Sequence, residues 1–135
     1  STSRGLGDVY KRQIQYNDIN ILLMGDATVN NEDILMKRYN LPKIDILKVG
    51  HHGSRTSSSD LFIKDIEPKI SLISSGKNNK YHLPNLDVIQ RLKYYGSKVF
   101  DTQDNGELTI NLDEEVYIVY RDILNQKSLA RESVS

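Results

Sequence analysis

Lys48-Val49-Gly50-His51-His52-Gly53-Ser54 sets two adjacent histidines between glycines, directly after an apolar run. Neighbouring side chains that leave a strand point in different directions. One imidazole can therefore face the strand end while the other bonds an adjacent loop. The glycines allow a sharp turn and a close approach to a ligand. Neutral imidazole is the commonest metal ligand, so the pair reads either as metal-binding or as a surface loop that holds nothing. Asp26 follows Leu22-Leu23-Met24-Gly25, at the end of another apolar run. A carboxylate there reads as a ligand for a divalent ion, or as a turn or capping aspartate.

A third polar segment, Ser74-Ser75-Gly76-Lys77-Asn78-Asn79-Lys80-Tyr81-His82, holds two lysines, two asparagines and another histidine. Amide and ammonium donors of this kind suit a phosphodiester backbone, and the plain alternative is a solvated loop. Lys77, Asn78, Asn79, Lys80 and His82 are the candidate substrate contacts. Ser54, Thr56, Ser57, Ser58 and Ser59 have no nucleophile-elbow context and read as helix-capping residues.

Elements that can hold these loops follow from the pattern. Ile14–Tyr16 and Ile19–Met24 flank the turn-formers Asn17-Asp18, a hairpin signal. Ile21 to Met24 are apolar at successive positions, which predicts a strand buried on both faces. Asn30 and Asn31 are the predicted caps of a helix to about Tyr39, closed by Pro42. Ile44–Val49 is a second buried strand. Ser57 and Asp60 have capping-box spacing before a helix that Pro68 ends. Lys69–Ser74 is a third buried strand. Val88, Ile89 and Leu92 stripe a helix that stops at Gly96. Val99-Phe100 is a short strand, Asp104-Asn105-Gly106 a turn, and Leu108–Leu112 pairs back with Val116–Tyr120. The order β-β-α-β-α-β-α-β-β-β predicts an α/β layered architecture. The loops after Met24, Val49 and Ser74 then share the strand ends at which sites in such sheets collect.

The 135 residues suffice for one small domain or part of a larger one. There is no cysteine, so disulfides and thiolate metal sites are excluded, and any metal falls to His, Asp, Glu or Asn. Formal net charge is zero, which excludes a broad basic surface for non-specific nucleic-acid binding. No apolar stretch approaches the roughly 20 residues of a membrane span. Residues 1–13 lack periodicity and read as a disordered arm or a non-native stretch resembling translated cloning sequence. Residues 14–120 carry the pattern, and 121–135 read as a polar, fraying tail.

Leu22-Leu23-Met24-Gly25-Asp26 and Asp45-Ile46-Leu47-Lys48-Val49-Gly50-His51-His52-Gly53-Ser54, with Thr56 and Ser57, resemble the metallo-β-lactamase-like domain of the ComEC competence family. Ser75-Gly76-Lys77-Asn78-Asn79-Lys80-Tyr81, Pro84, Arg91-Leu92 and Asp101-Thr102 through Gly106 extend the resemblance from about Ile14 to Leu112. It implies the C-terminal part of an αββα sandwich with a divalent metal, zinc or manganese, at one edge. It implies a nuclease acting on DNA taken up by bacteria, within a membrane-bound parent whose channel is a partner and whose metal domain is soluble. Asp26 then looks like the bridging carboxylate, and His51 or His52 like the last histidine ligand, with His51 leaving the strand first.

Two departures qualify this. The family's first metal cluster, rich in His and Asp, is absent and is expected upstream of Ile14. Asp26, His51 and His52 cannot complete a two-metal site, so the segment alone is expected to be inactive or a weak metal binder. The family's histidine before the loop proline is replaced by Leu83, with His82 one place earlier. A non-catalytic module that binds nucleic acid or a partner, and a metallo-hydrolase on a small substrate, are the competing readings. A lone half of a sandwich is also expected to expose apolar edges and faces and to self-associate.

Overall fold

The computed structural model describes residues 12–76, 79–121 and 129–134. Strands β1 (Arg12–Tyr16) and β2 (Ile19–Leu23) form the expected antiparallel hairpin. Asn17 and Asp18 at its tip both have positive φ, 46° and 66°, as a primed two-residue turn requires. The chain then alternates helices and strands: α1 (Val29–Arg38), β3 (Ile46–Lys48), α2 (Asp60–Ile66), β4 (Ile70–Ile73), α3 (Leu86–Tyr94) and β5 (Lys98–Asp101). β1 to β5 make one sheet in sequence order, with β2 to β5 parallel. A short helix α4 (Thr102–Asn105) leads to β6 (Thr109–Asn111), β7 (Tyr117–Tyr120) and β8 (Ala130–Ser133), which form a separate antiparallel sheet.

Alternation along the central strands divides the interior into two cores. Leu22, Leu47 and Ile73 pack with Leu35, Phe62, Ile63, Ile66, Val88 and Leu92 of the three long helices. Ile21, Ile46, Ile70 and Phe100 point the other way and pack with Ile118 and Val134 of the second sheet. The layers are therefore helices, five-stranded sheet and three-stranded sheet. This is why β2, β3 and β4 read as continuous apolar runs: both of their faces are covered. The chain is an α/β protein. Among the described residues, Ile21, Ile46, Ile70 and Phe100, on the face expected to be bare in a half sandwich, are buried against the second sheet.

Several predicted details differ. Thr28, not Asn30 or Asn31, precedes α1, and Asn31 reaches back to accept from the Thr28 N–H at 2.9 Å. Ser59, not Ser57, caps α2 by accepting from the Phe62 N–H at 3.2 Å. The turn expected at Asp104–Gly106 is the end of α4, with Asp101 accepting from the Gln103 N–H at its start. The tail predicted to fray contains β8, which pairs with β7 over Ala130–Ser133, and Val134 beyond it is buried.

Candidate functional site

Parallel pairing of β2, β3 and β4 brings their C-terminal loops to one edge. Leu23, Lys48 and Leu72 are in register. Two further backbone bonds continue the ladder past the strands, Met24 N–H to Lys48 carbonyl at 3.2 Å and Val49 N–H to Leu72 carbonyl at 2.9 Å. The Asp26 loop and the histidine turn then meet directly, as the His51 N–H donates to the Gly25 carbonyl at 2.7 Å. Gly50 is buried in this junction, and a Cβ there would lie 3.1 Å from the Ala27 carbonyl oxygen and 3.3 Å from Met24 Cβ. A side chain there would press on both and require them to separate by a few tenths of an ångström, so glycine favours the close approach.

His51 (φ 49°, ψ 42°), His52 (φ 55°, ψ 27°) and Gly53 (φ 78°) are consecutive left-handed residues. Left-handed backbone costs roughly 1–2 kcal/mol per non-glycine residue, so the surroundings must hold it. His52 is exposed, and its Nδ1 lies 2.7 Å from the Ser74 carbonyl. A carbonyl only accepts, so this bond puts the proton on Nδ1 and leaves the Nε2 lone pair available, the arrangement usual for a metal-ligating histidine. His51 is partly buried, and its Nδ1 is buried with no hydrogen-bond partner among the described residues. The two rings are 6.5 Å apart and tilted by 42°. Asp26 is exposed. Burial pushes the Lys48 ammonium below its usual range, and the Asp26 charge opposes that shift.

Beneath the turn lies a polar support. The Ser57 hydroxyl sits 2.9 Å from both the Gly50 and the Ser54 carbonyls. The buried Glu32 carboxylate accepts from the Ser58 and Ser59 N–H groups, the latter at 2.8 Å. Its burial raises the carboxyl pKa, against the opposing effect of those two N–H donors. Arg91 of α3 donates to the Ser58 carbonyl at 2.6 Å. α1 and α3 are thereby tied to the segment that follows the histidines.

The loop after β4 is held at both ends. The Ser75 hydroxyl donates to Asp101, and the Ser75 N–H donates to Thr102 Oγ1 at 3.0 Å. Asn79 donates to the Gly76 and Leu83 carbonyls and accepts from the Leu83 N–H, each at 2.7 Å. The Asn85 N–H donates to the Gly53 carbonyl at 2.9 Å. A Cβ on Gly53 would lie 2.7 Å from Pro84 Cβ, so loop and histidine turn are in tight contact. Lys80, Tyr81 and His82 are exposed. Lys77 and Asn78 lie outside the described residues.

The structure therefore joins the Asp26 loop, His51 and His52 at one edge, with the Asn79–His82 loop attached. Among the described residues, no three His, Asp or Glu side chains are gathered so as to hold a metal ion. The donors fit a partial set: one imidazole oriented by a carbonyl, one with an orphan nitrogen, and an exposed carboxylate. The support Glu32 escapes sequence reasoning, since it resembles an ordinary acidic residue in the first turn of a surface helix. Ser57, read as a capping residue, instead bonds the Gly50 and Ser54 carbonyls, and Asp101 holds the Ser75 hydroxyl. The signal that marks Glu32 is the density of Ser and Thr after the histidines, which supplies backbone N–H groups needing partners.

No family model matches the sequence. Recombination protein 2 of Haemophilus influenzae is 40% identical over 95 residues, 70% of this chain and 12% of its own length. ComE operon protein 3 of Bacillus subtilis is 41% identical over 87 residues, 64% of this chain and 11% of its own. Competence protein ComA of Neisseria gonorrhoeae is 36% identical over 94 residues, 68% of this chain and 14% of its own. The chain is related to bacterial competence proteins. This competence-related segment spans about an eighth of the length of those relatives, which sets it beside one part of each.

Proposed function

We propose that this segment is part of a metal-dependent phosphodiesterase of the metallo-β-lactamase-like type, acting on DNA during uptake. Asp26, His51 and His52 supply some of the ligands for zinc or manganese. The remaining ligands come from chain outside the described residues, in a parent protein whose other partner is a membrane channel. Asp26, His51 and His52 would help hold a divalent ion, which when bound would supply water activation and charge neutralisation for a phosphodiester. This chain's contribution is to hold two imidazoles and a carboxylate at adjoining strand ends, beside the Lys48 ammonium.

One observation carries the reading. The Asp26 loop and the histidine turn are bonded through His51 and Gly25, and the turn exposes His52 with its Nδ1 held by Ser74. The Nδ1 of His51, without a partner among the described residues, supports it. Layering of two sheets under one helical layer supports the sandwich, and relatedness to competence proteins supports DNA as the substrate. The test is cleavage of DNA by the longer parent protein with Mn²⁺ or Zn²⁺. Wild type should cut and Asp26→Ala should lose at least about a hundredfold in rate, the order seen when an electrostatic group of an active site is removed. An intact, metal-loaded protein that cuts no DNA sinks the proposal.

A further inference from the structure

The loop beside the histidine turn presents Tyr81 with 70% of its surface exposed. The Lys80 ammonium lies 5.0 Å from the centre of its ring, a cation–π contact. A large aromatic left in solvent forgoes the stabilisation that burial would bring. The backbone that carries it is nonetheless held by several hydrogen bonds. Asn79 staples Gly76 to Leu83 through three 2.7 Å bonds, and the His82 N–H returns to the Asn79 carbonyl at 3.1 Å. Pro84 abuts Gly53 and Asn85 bonds its carbonyl. Tyr81 is therefore an exposed ring on a hydrogen-bonded loop anchored to the residue that follows His52.

We propose that Tyr81 and Lys80 form a stacking platform for an unpaired nucleobase, with Lys80 contacting the adjoining phosphate, so that the site takes single-stranded nucleic acid. This deepens the phosphodiesterase reading and rests on it for the nearness of the scissile bond. The chemistry is direct. An ammonium over one face leaves the opposite face of an exposed ring open, and every base offers a π-face to it. Bases in a duplex are already stacked on both sides, so a single protruding ring discriminates by strandedness rather than by sequence. A local cation beside the ring supplies charge that a net-neutral chain lacks overall.

The experiment is fluorescence anisotropy with this chain in EDTA, so that neither metal nor cleavage enters. The probes are a labelled oligothymidylate of about 12 nucleotides, within the usual span of such sites, and a labelled duplex of the same length. The single strand should bind more tightly than the duplex. Tyr81→Ala should weaken single-strand binding by about tenfold, and Tyr81→Phe should keep it, because stacking needs the ring and not the hydroxyl. Lys80→Gln should reduce the salt dependence by roughly one phosphate contact. No binding to the single strand, equal binding of duplex, or wild-type affinity in Tyr81→Ala overturns the proposal. Failure of metal-dependent cleavage with this binding intact would instead count against the phosphodiesterase reading alone.

Discussion

Gly53 links the two halves of the site at the level of a single residue. Its φ of 78° suits glycine, and its missing Cβ is the space that Pro84 fills at 2.7 Å. Gly53→Ala therefore meets both left-handed strain and a clash with backbone-fixed proline carbon. It should lower stability by about 2 kcal/mol or more, summing a left-handed penalty with overpacking. Urea unfolding would show this as a shifted midpoint, and an unshifted midpoint would contradict the tight contact. The glycines and histidines of this turn are legible in sequence, since little else explains glycine on both sides of a histidine pair. The division of labour between His51 and His52 is not legible. It depends on the Ser74 carbonyl, 22 residues from His52, which gives His52 its bond, while His51 Nδ1 has no partner among the described residues.

At the scale of elements, the strands and helices were readable because apolar period and length agree. The caps were less so, because α2 follows three serines and any of them can cap. The structure gives Ser59 the cap and turns Ser57 inward to the Gly50 carbonyl. Glu32 was hidden for a related reason: an acidic residue in the first turn of α1 ordinarily favours the helix dipole from the surface. Here it is buried and ties α1 to the start of α2. Its folded pKa is raised above the ordinary 4.5, with burial as the leading cause. Its contribution to stability is then full below that ordinary value and is lost as pH rises through the raised one. The stability difference between wild type and Glu32→Gln should accordingly shrink with rising pH. A difference that grows with pH, in denaturant unfolding from acid to neutral, would mean that the Ser58 and Ser59 donors outweigh burial.

Across the whole molecule, the central sheet is covered by helices on one face and by a second sheet on the other. The helical face was visible in the sequence as βαβ alternation. The second cover was only half visible, because β8 is Ala130-Arg131-Glu132-Ser133, polar by composition and a strand only through its pairing with β7. The coupling passes through Ile118, fully buried between the sheets with Phe100 and Val134 nearby in the same core. Ile118→Ala should cost about 2–5 kcal/mol, as large-to-small changes in cores do. A loss below about 1 kcal/mol in thermal or urea unfolding would show that the second sheet is not packed on the first.

The most direct test of the central claim is metal-dependent DNA cleavage by the longer parent protein, compared between wild type and Asp26→Ala. The account predicts cleavage that needs Mn²⁺ or Zn²⁺ and is abolished by the substitution while the fold is kept. Equal cleavage by both proteins, or none by a folded and metal-loaded wild type, would contradict it.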